Sequence, residues 1–244
     1  MSGDSPPYVL VHGAYMGAWC WGPVASILRS RGCQVFTPTL TGLGERRHLM
    51  SPTIDIETFV ADVMNVILFE DLSDIVLVGY SYGARSASGV ADRVPNRIRK
   101  LVFIDGGLPI EATSRLDAMP PEERARRIAS AVNFDGGISV PPPPAEQFGV
   151  PDPAIRDWMN RLMTPQPLSV DKTALKLSRP IGNGLPVTYV RCTDPPFPQV
   201  EHHAAYARAR SDWRYTELAA GHAAIVTHPK QVADLLLNER TQGP

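Results

Sequence analysis

Residues 79–83 read Gly79-Tyr80-Ser81-Tyr82-Gly83, a Gly-x-Ser-x-Gly pentapeptide. Alone the pattern is weak, since glycine and serine are common enough for about one chain in ten of this length to hold it by chance. Its setting carries more. It follows the unbroken apolar run Ile75-Val76-Leu77-Val78 and precedes a helix-like stretch over 82–93. A serine on a sharp strand-to-helix turn presents its hydroxyl as a nucleophile, and the flanking positions must be small for backbone to pass close by. The first N–H groups of the following helix favour negative charge at that spot. The competing reading is a glycine-rich turn with a capping serine.

A serine hydroxyl attacks only when a base takes its proton, so a histidine is required. The candidates are His12, His48, His202, His203, His222 and His228. On a strand–turn–helix nucleophile the order is serine, acid, histidine, which places the base after the last strand. His222, in Ala219-Ala220-Gly221-His222, fits. His202 and His203 fall in a helical pattern and are expected to face solvent. His228 precedes Pro229 as a helix-start residue, and His48 sits in a charged loop. His12 directly follows the first strand and is assigned to orienting the loop beside the serine.

The acid must hold His222 in one tautomer and stabilise its imidazolium form. Asp194 is preferred; Asp105 is a serious rival, because both end strands at the same sheet edge. An oxyanion hole needs two backbone donors fixed before charge develops. Tyr82, directly after the serine, supplies one, and Ala14 in His12-Gly13-Ala14-Tyr15 the other. Gly13, Tyr15 and Trp158 are the expected substrate contacts. Trp19, Trp21, Phe134, Phe148 and Met159 could line an apolar pocket, each with plain core as its competing role.

The elements that must position these residues are legible as apolar runs alternating with helical patterns. Strands are expected over 8–11, 34–38, 75–78, 101–104, 186–190 and 214–218, and helices over 19–31, 54–69, 82–93, 198–209 and 230–239. Such alternation predicts a six-stranded, mainly parallel sheet with helices on both faces, an α/β fold. Thirteen of the 24 prolines fall between Pro109 and Pro186. That region is read as a cap inserted at 107–180, with short helices near 120–131 and 154–163, in a core made of 1–106 and 181–244. The cap is expected over the C-terminal sheet edge, where α/β folds place their sites.

Composition narrows the function. With 43% hydrophobic residues the 244-residue chain can build a core, and 24 basic against 25 acidic residues leave no footprint for nucleic acid or anionic membrane. Residues 1–7 lack the basic and apolar regions of a signal peptide, and no apolar run is long enough to span a membrane. Three scattered cysteines, Cys20, Cys33 and Cys192, read as reduced thiols in a cytoplasm.

With these residues placed, the chain resembles the α/β-hydrolase fold family, and within it the branch of plant methylesterases, hydroxynitrile lyases and bacterial carboxylesterases of the pyrethroid-hydrolase kind. The resemblance rests on Val9-Leu10-Val11-His12-Gly13-Ala14, Gly17-Ala18-Trp19-Cys20-Trp21, the stretch 37–45, the serine pentapeptide, Phe148-Gly149-Val150 and Thr164-Pro165-Gln166-Pro167-Leu168. It implies an acid-to-base interval matching Asp194 to His222. It also separates chemistries: lyases of that branch carry Thr after the oxyanion-loop His and Lys after the catalytic His, where this chain has Gly13 and Ala223. Many relatives read Gly-His-Ser-Tyr-Gly-Gly, whereas this chain has Tyr80 and Ala84.

The expected activity is therefore hydrolysis of small apolar carboxylic esters through an acyl-enzyme, with no metal or organic cofactor. The expected partner is a small-molecule ester, and a homodimer is left open. The alternatives are a lyase or cyclase acting on a natural-product intermediate, or a ligand-binding receptor on the same fold.

Overall fold

The computed structural model describes residues 5–239. Residues 1–4 of the N-terminal stretch read above lie outside them. The chain begins with β1 (Tyr8–Val11), α1 (Gly22–Ser30), β2 (Val35–Phe36), α2 (Ile56–Phe69), β3 (Ile75–Tyr80), α3 (Gly83–Arg93) and β4 (Ile98–Ile104). A second group follows: α4 (Pro121–Asp135), β5 (Ser139–Val140), α5 (Pro153–Leu162), β6 (Gln166–Pro167) and α6 (Leu168–Lys172). The chain then returns with β7 (Val187–Cys192), α7 (Glu201–Arg208), β8 (Trp213–Leu218), α8 (Ala224–Thr227) and α9 (Pro229–Glu239).

Six strands form one parallel sheet in the order β2-β1-β3-β4-β7-β8. The strands β1, β3 and β7 are buried along their whole length because both faces of the sheet are covered there, whereas β8 at the edge carries the exposed Arg214 and Glu217. Leu10, Val76, Val78, Tyr80, Val102, Ile104 and Val190 pack on one side with α1 and α9. Val9, Val11, Leu77, Leu101, Phe103, Val187 and Tyr189 pack on the other with α2 and α3. Neighbouring residues thus serve opposite cores, as the period-two pleat requires.

Two expected helices begin differently. The 19–31 stretch opens with a 3-10 turn, Ala18–Trp21, before α1, and the 198–209 stretch opens with another, Pro198–Val200, before α7. In each a proline stands at the start of a helical segment, where its missing N–H costs nothing. The expected strand at 34–38 is cut to Val35–Phe36 at the sheet edge, and Pro38 cannot donate to a ladder.

The proline-rich region holds a two-stranded antiparallel pair, β5 with β6. Pro121 starts α4, and Gly136 ends it in the left-handed conformation at φ +77°. Asp152 caps α5 by accepting from the N–H groups of Ala154 and Ile155.

Strand register sets the level of the site. Tyr80 pairs with Ile104, and Ile104 with Val190. Ser81 and Asp105 therefore leave the C-terminal edge side by side, with the Ser81 N–H on the Ile104 carbonyl (3.0 Å) and the Asp105 N–H on that of Val190 (2.8 Å).

Candidate active site

Ser81 sits in a left-handed backbone conformation, φ +52°, which costs energy for any residue bearing a Cβ. Two glycines make the turn feasible. A Cβ on Gly79 would lie 2.7 Å from Ala84 Cα, and one on Gly83 would lie 2.6 Å from the His12 carbonyl oxygen. The small flanking residues are therefore required by close backbone approach, as the pentapeptide suggests.

The serine and histidine singled out from sequence meet. Ser81 Oγ lies 2.9 Å from His222 Nε2, and His222 Nδ1 lies 2.7 Å from a carboxylate oxygen. That carboxylate is Asp105, not Asp194. Asp105 is fully buried at φ +45°; its Oδ2 faces the imidazole, and its Oδ1 accepts from Arg191 Nη1 (2.7 Å) and the Cys192 N–H (3.1 Å). Asp194 is exposed, and its N–H pairs with the Ala220 carbonyl. The reason is register. Asp105 stands one residue past the Ile104–Val190 pair, whereas Asp194 lies four residues past Val190, about 10 Å farther along the strand direction.

An ionised carboxylate only accepts hydrogen bonds, so Asp105 fixes the proton of His222 on Nδ1. Nε2 then faces the serine hydroxyl with a free lone pair, the arrangement from which a proton can be taken. Aromatic rings enclose the imidazole. Phe197 stacks on it at 4.0 Å between ring centres, with Tyr80 at 5.2 Å and Phe148 at 6.0 Å. Tyr80, the departure from the common histidine, thus backs the imidazole, and Trp21 packs edge-on against Tyr80.

The loop after β1 is pinned from two sides. The buried His12 accepts the Leu40 N–H at Nε2 (3.0 Å), which leaves Nδ1–H to donate to the Gly13 carbonyl (2.8 Å). Burial lowers the His12 pKa to about 4, so the ring is neutral at pH 7. From the proline-rich region, Gln166 Oε1 accepts the Tyr15 N–H, and the Thr164 N–H donates to the Tyr15 carbonyl. Ala14 and Tyr82 both border the cavity beside Ser81, and their backbone N–H groups have no acceptor among the described residues. The Tyr82 side chain points elsewhere, its hydroxyl donating to the Val170 carbonyl at 2.9 Å.

Two expected substrate contacts need correction. Gly13 does not border the cavity; a Cβ there would meet Ser81 Cβ at 3.0 Å, so its smallness lets the loop approach the serine. Trp158 does not border it either; half-buried, it packs edge-on against Trp19 at 5.0 Å at the margin of the core. Tyr15 does border it, with Phe148, Phe197 and the run Pro141, Pro142, Pro143 and Pro144. Phe134 is instead 53% exposed on α4.

The cavity beside Ser81 has a volume of about 800 Å³. Its charged lining was not read from sequence. Asp171, fully buried, takes Arg115 (3.2 Å) and Arg127 (2.6 Å); burial alone would raise its carboxyl, but the two guanidinium groups hold it below the usual range. Arg127 also donates to the Tyr15 hydroxyl at 2.8 Å. Arg85, one turn beyond Ser81, borders the cavity as well. His202 and His203 line it rather than simply facing solvent, and His203 is pushed down to about pKa 4 by burial, with Arg85, His202 and Arg115 adding to the effect.

A family model described as the alpha/beta hydrolase family matches residues 8–235. The chain belongs to that family. This hydrolase is 37% identical over 243 residues to a carbendazim hydrolyzing esterase of Nocardioides sp. (strain SG-4G), across 94% of this chain and 97% of that one. It is 30% identical over 140 residues to methyl jasmonate esterase 1 of Vitis vinifera, covering 55% of this chain and 52% of the relative. Among solved structures it is similar to an extracellular alpha/beta-hydrolase from a Paenibacillus species, with TM-score 0.84 and 25% identity over 97% of this chain and all of that one. A pyrethroid hydrolase from Sphingobium faniae JZ-2 shares the fold at TM-score 0.74 and 21% identity, over 96% and 97% of the two chains.

Proposed function

We propose that this hydrolase cleaves carboxylic esters of small molecules through an acyl-enzyme on Ser81. The observation that carries the reading is the hydrogen-bonded series from Ser81 Oγ through His222 to Asp105. Ser81 Oγ attacks the ester carbonyl carbon as His222 Nε2 takes its proton. The resulting oxyanion receives the N–H groups of Ala14 and Tyr82. His222 then returns the proton to the departing alcohol, and the carbonyl reforms as an acyl-serine. Water, deprotonated by the same imidazole, attacks that acyl carbon, and the acid leaves with Ser81 restored. Asp105 stays ionised throughout and stabilises the transient imidazolium. Protons and electron pairs move among these groups, substrate and water, so the scheme needs no metal or organic cofactor.

Residues 107–180 act as a cap over a core formed by 1–106 and 181–244, bracing Tyr15 and roofing the cavity with proline. The three cysteines are buried and scattered along the chain, which suits a reducing cytoplasm. Among the described residues no helix is long and apolar enough to cross a membrane. The test is a panel of esters and lactones assayed on wild type, Ser81→Ala and His222→Ala. Ester turnover that falls at least about 10⁴-fold in both variants supports the reading; turnover persisting in Ser81→Ala removes it.

A further inference from the structure

Arg85 is 4% exposed, yet its guanidinium has no hydrogen-bond or ion-pair partner among the described residues. The other buried arginine among the described residues, Arg191, holds Asp105 and Glu201, and the half-buried Arg127 holds Asp171. Asp171, the buried carboxylate nearby, is already shared by Arg115 and Arg127. Glu123 also lines the cavity but forms no ion pair with any of the three. Three guanidinium groups against one buried carboxylate leave this wall of the cavity positive.

Position adds to the anomaly. Arg85 stands in the first turn of α3, where the helix dipole is itself positive, and no acidic residue accompanies it there. Side chains on a helix lean toward its N-terminus, so Arg85 leans toward the Ser81 turn four residues earlier. A cation buried without a partner at the positive end of a helix is costly for folding. Beside it, Nδ1 of His203 is buried without a hydrogen-bond partner as well. Arg85 and His203 both line the cavity containing the serine.

We propose that Arg85 receives a carboxylate on the substrate, so that the preferred substrates are anionic esters bearing a second, ionised carboxyl group. The proposal rests on the ester-hydrolase reading and deepens it. A guanidinium binds a carboxylate through a planar pair of N–H donors, and the same anion would neutralise the excess charge on the wall.

The test compares matched esters. Monomethyl adipate against methyl hexanoate places the charge on the acyl side; 4-carboxyphenyl butyrate against 4-carbamoylphenyl butyrate places it on the alcohol side. In the wild type at least one anionic ester should exceed its neutral partner about tenfold or more in kcat/KM. Arg85→Met should cut that ratio about 10- to 100-fold, chiefly through KM, and Arg85→Lys should keep part of it. Equal use of anionic and neutral esters by the wild type, or an unchanged ratio in Arg85→Met, overturns the proposal. Should Arg85→Met fail to fold, calorimetric titration of the wild type decides: adipate must bind at least about tenfold more tightly than adipamide, and equal affinity overturns it. The titration also separates this proposal from its parent, since absence of all ester turnover would remove the hydrolase reading while the affinity comparison still judges Arg85.

Discussion

Arg191 grips the oxygen of Asp105 that faces away from His222. Its Nη1 lies 2.7 Å from Oδ1, leaving Oδ2 at 2.7 Å from the imidazole. The same guanidinium donates through Nη2 to the carbonyl of Phe197, whose ring stacks on His222. One buried arginine therefore orients both the carboxylate and an aromatic wall of the imidazole. Arg191→Met should cost about 3 kcal/mol or more of stability, because a buried carboxylate loses its partner. In the protein that still folds, kcat should fall more than KM rises, and Arg191→Lys should restore only part, lacking the two-pronged donor set. Urea unfolding and steady-state kinetics on both variants check this.

Asp105 and Asp194 make opposite predictions. Asp105→Asn should lower kcat about 10³- to 10⁴-fold, because an amide no longer enforces the tautomer with Nε2 free. Asp194→Asn, an exposed side chain away from the imidazole, should stay within about threefold of wild type. Parallel assays of the two substitutions on one chromogenic ester distinguish them.

Ser81 and His222, both singled out from the sequence, lie within hydrogen-bond distance, whereas Asp105 rather than the preferred Asp194 meets the imidazole, and the reason is physical. Ser81 announces itself through Gly79 and Gly83, whose smallness answers a local demand of the turn. His222 follows from chain order. Each aspartate ends a strand at the same sheet edge, so what separates them is the level each reaches beside its neighbours, which local pattern does not encode. The six strands were legible because runs such as Ile75-Val76-Leu77-Val78 are apolar on both pleat faces. Arg85 and Arg191 were not, since a lone arginine in a helix or strand pattern says nothing about burial or partner. Phe197 was missed because its ring meets the imidazole only through the turn after β7.

Tight approach at the elbow makes Gly79→Ala damaging. The added methyl would lie 2.7 Å from backbone that cannot rotate away, so the cost is about 1–3 kcal/mol or a displaced serine. Thermal unfolding together with an active-site serine probe should show a lower midpoint and slower labelling. Wild-type behaviour in both measurements would mean that the turn is looser than described.

Buried His12 gives stability a pH dependence. Its pKa of about 4 in the folded state lies below the ordinary 6.5, so the unfolded chain binds the proton more readily between those values. Stability therefore falls as pH drops from 6.5 to about 4, by about 3 kcal/mol from this residue, and its contribution levels off below. His12→Gln should be less stable than wild type at pH 7, with the gap shrinking as the pH approaches 4. Urea midpoints of the two proteins at pH 7.0, 5.5 and 4.5 measure that gap; one that stays constant would show His12 untitrated in this window.

Everything proposed for Ser81 depends on the covalent step. Rapid acid quench of the wild type during turnover of p-nitrophenyl butyrate, followed by mass analysis of the digested protein, reads it directly. One butyryl group is expected on the peptide carrying Ser81 within the first turnover, and none on Ser81→Ala. Ester cleavage at full rate with no adduct at Ser81, or an adduct on another residue, would contradict it.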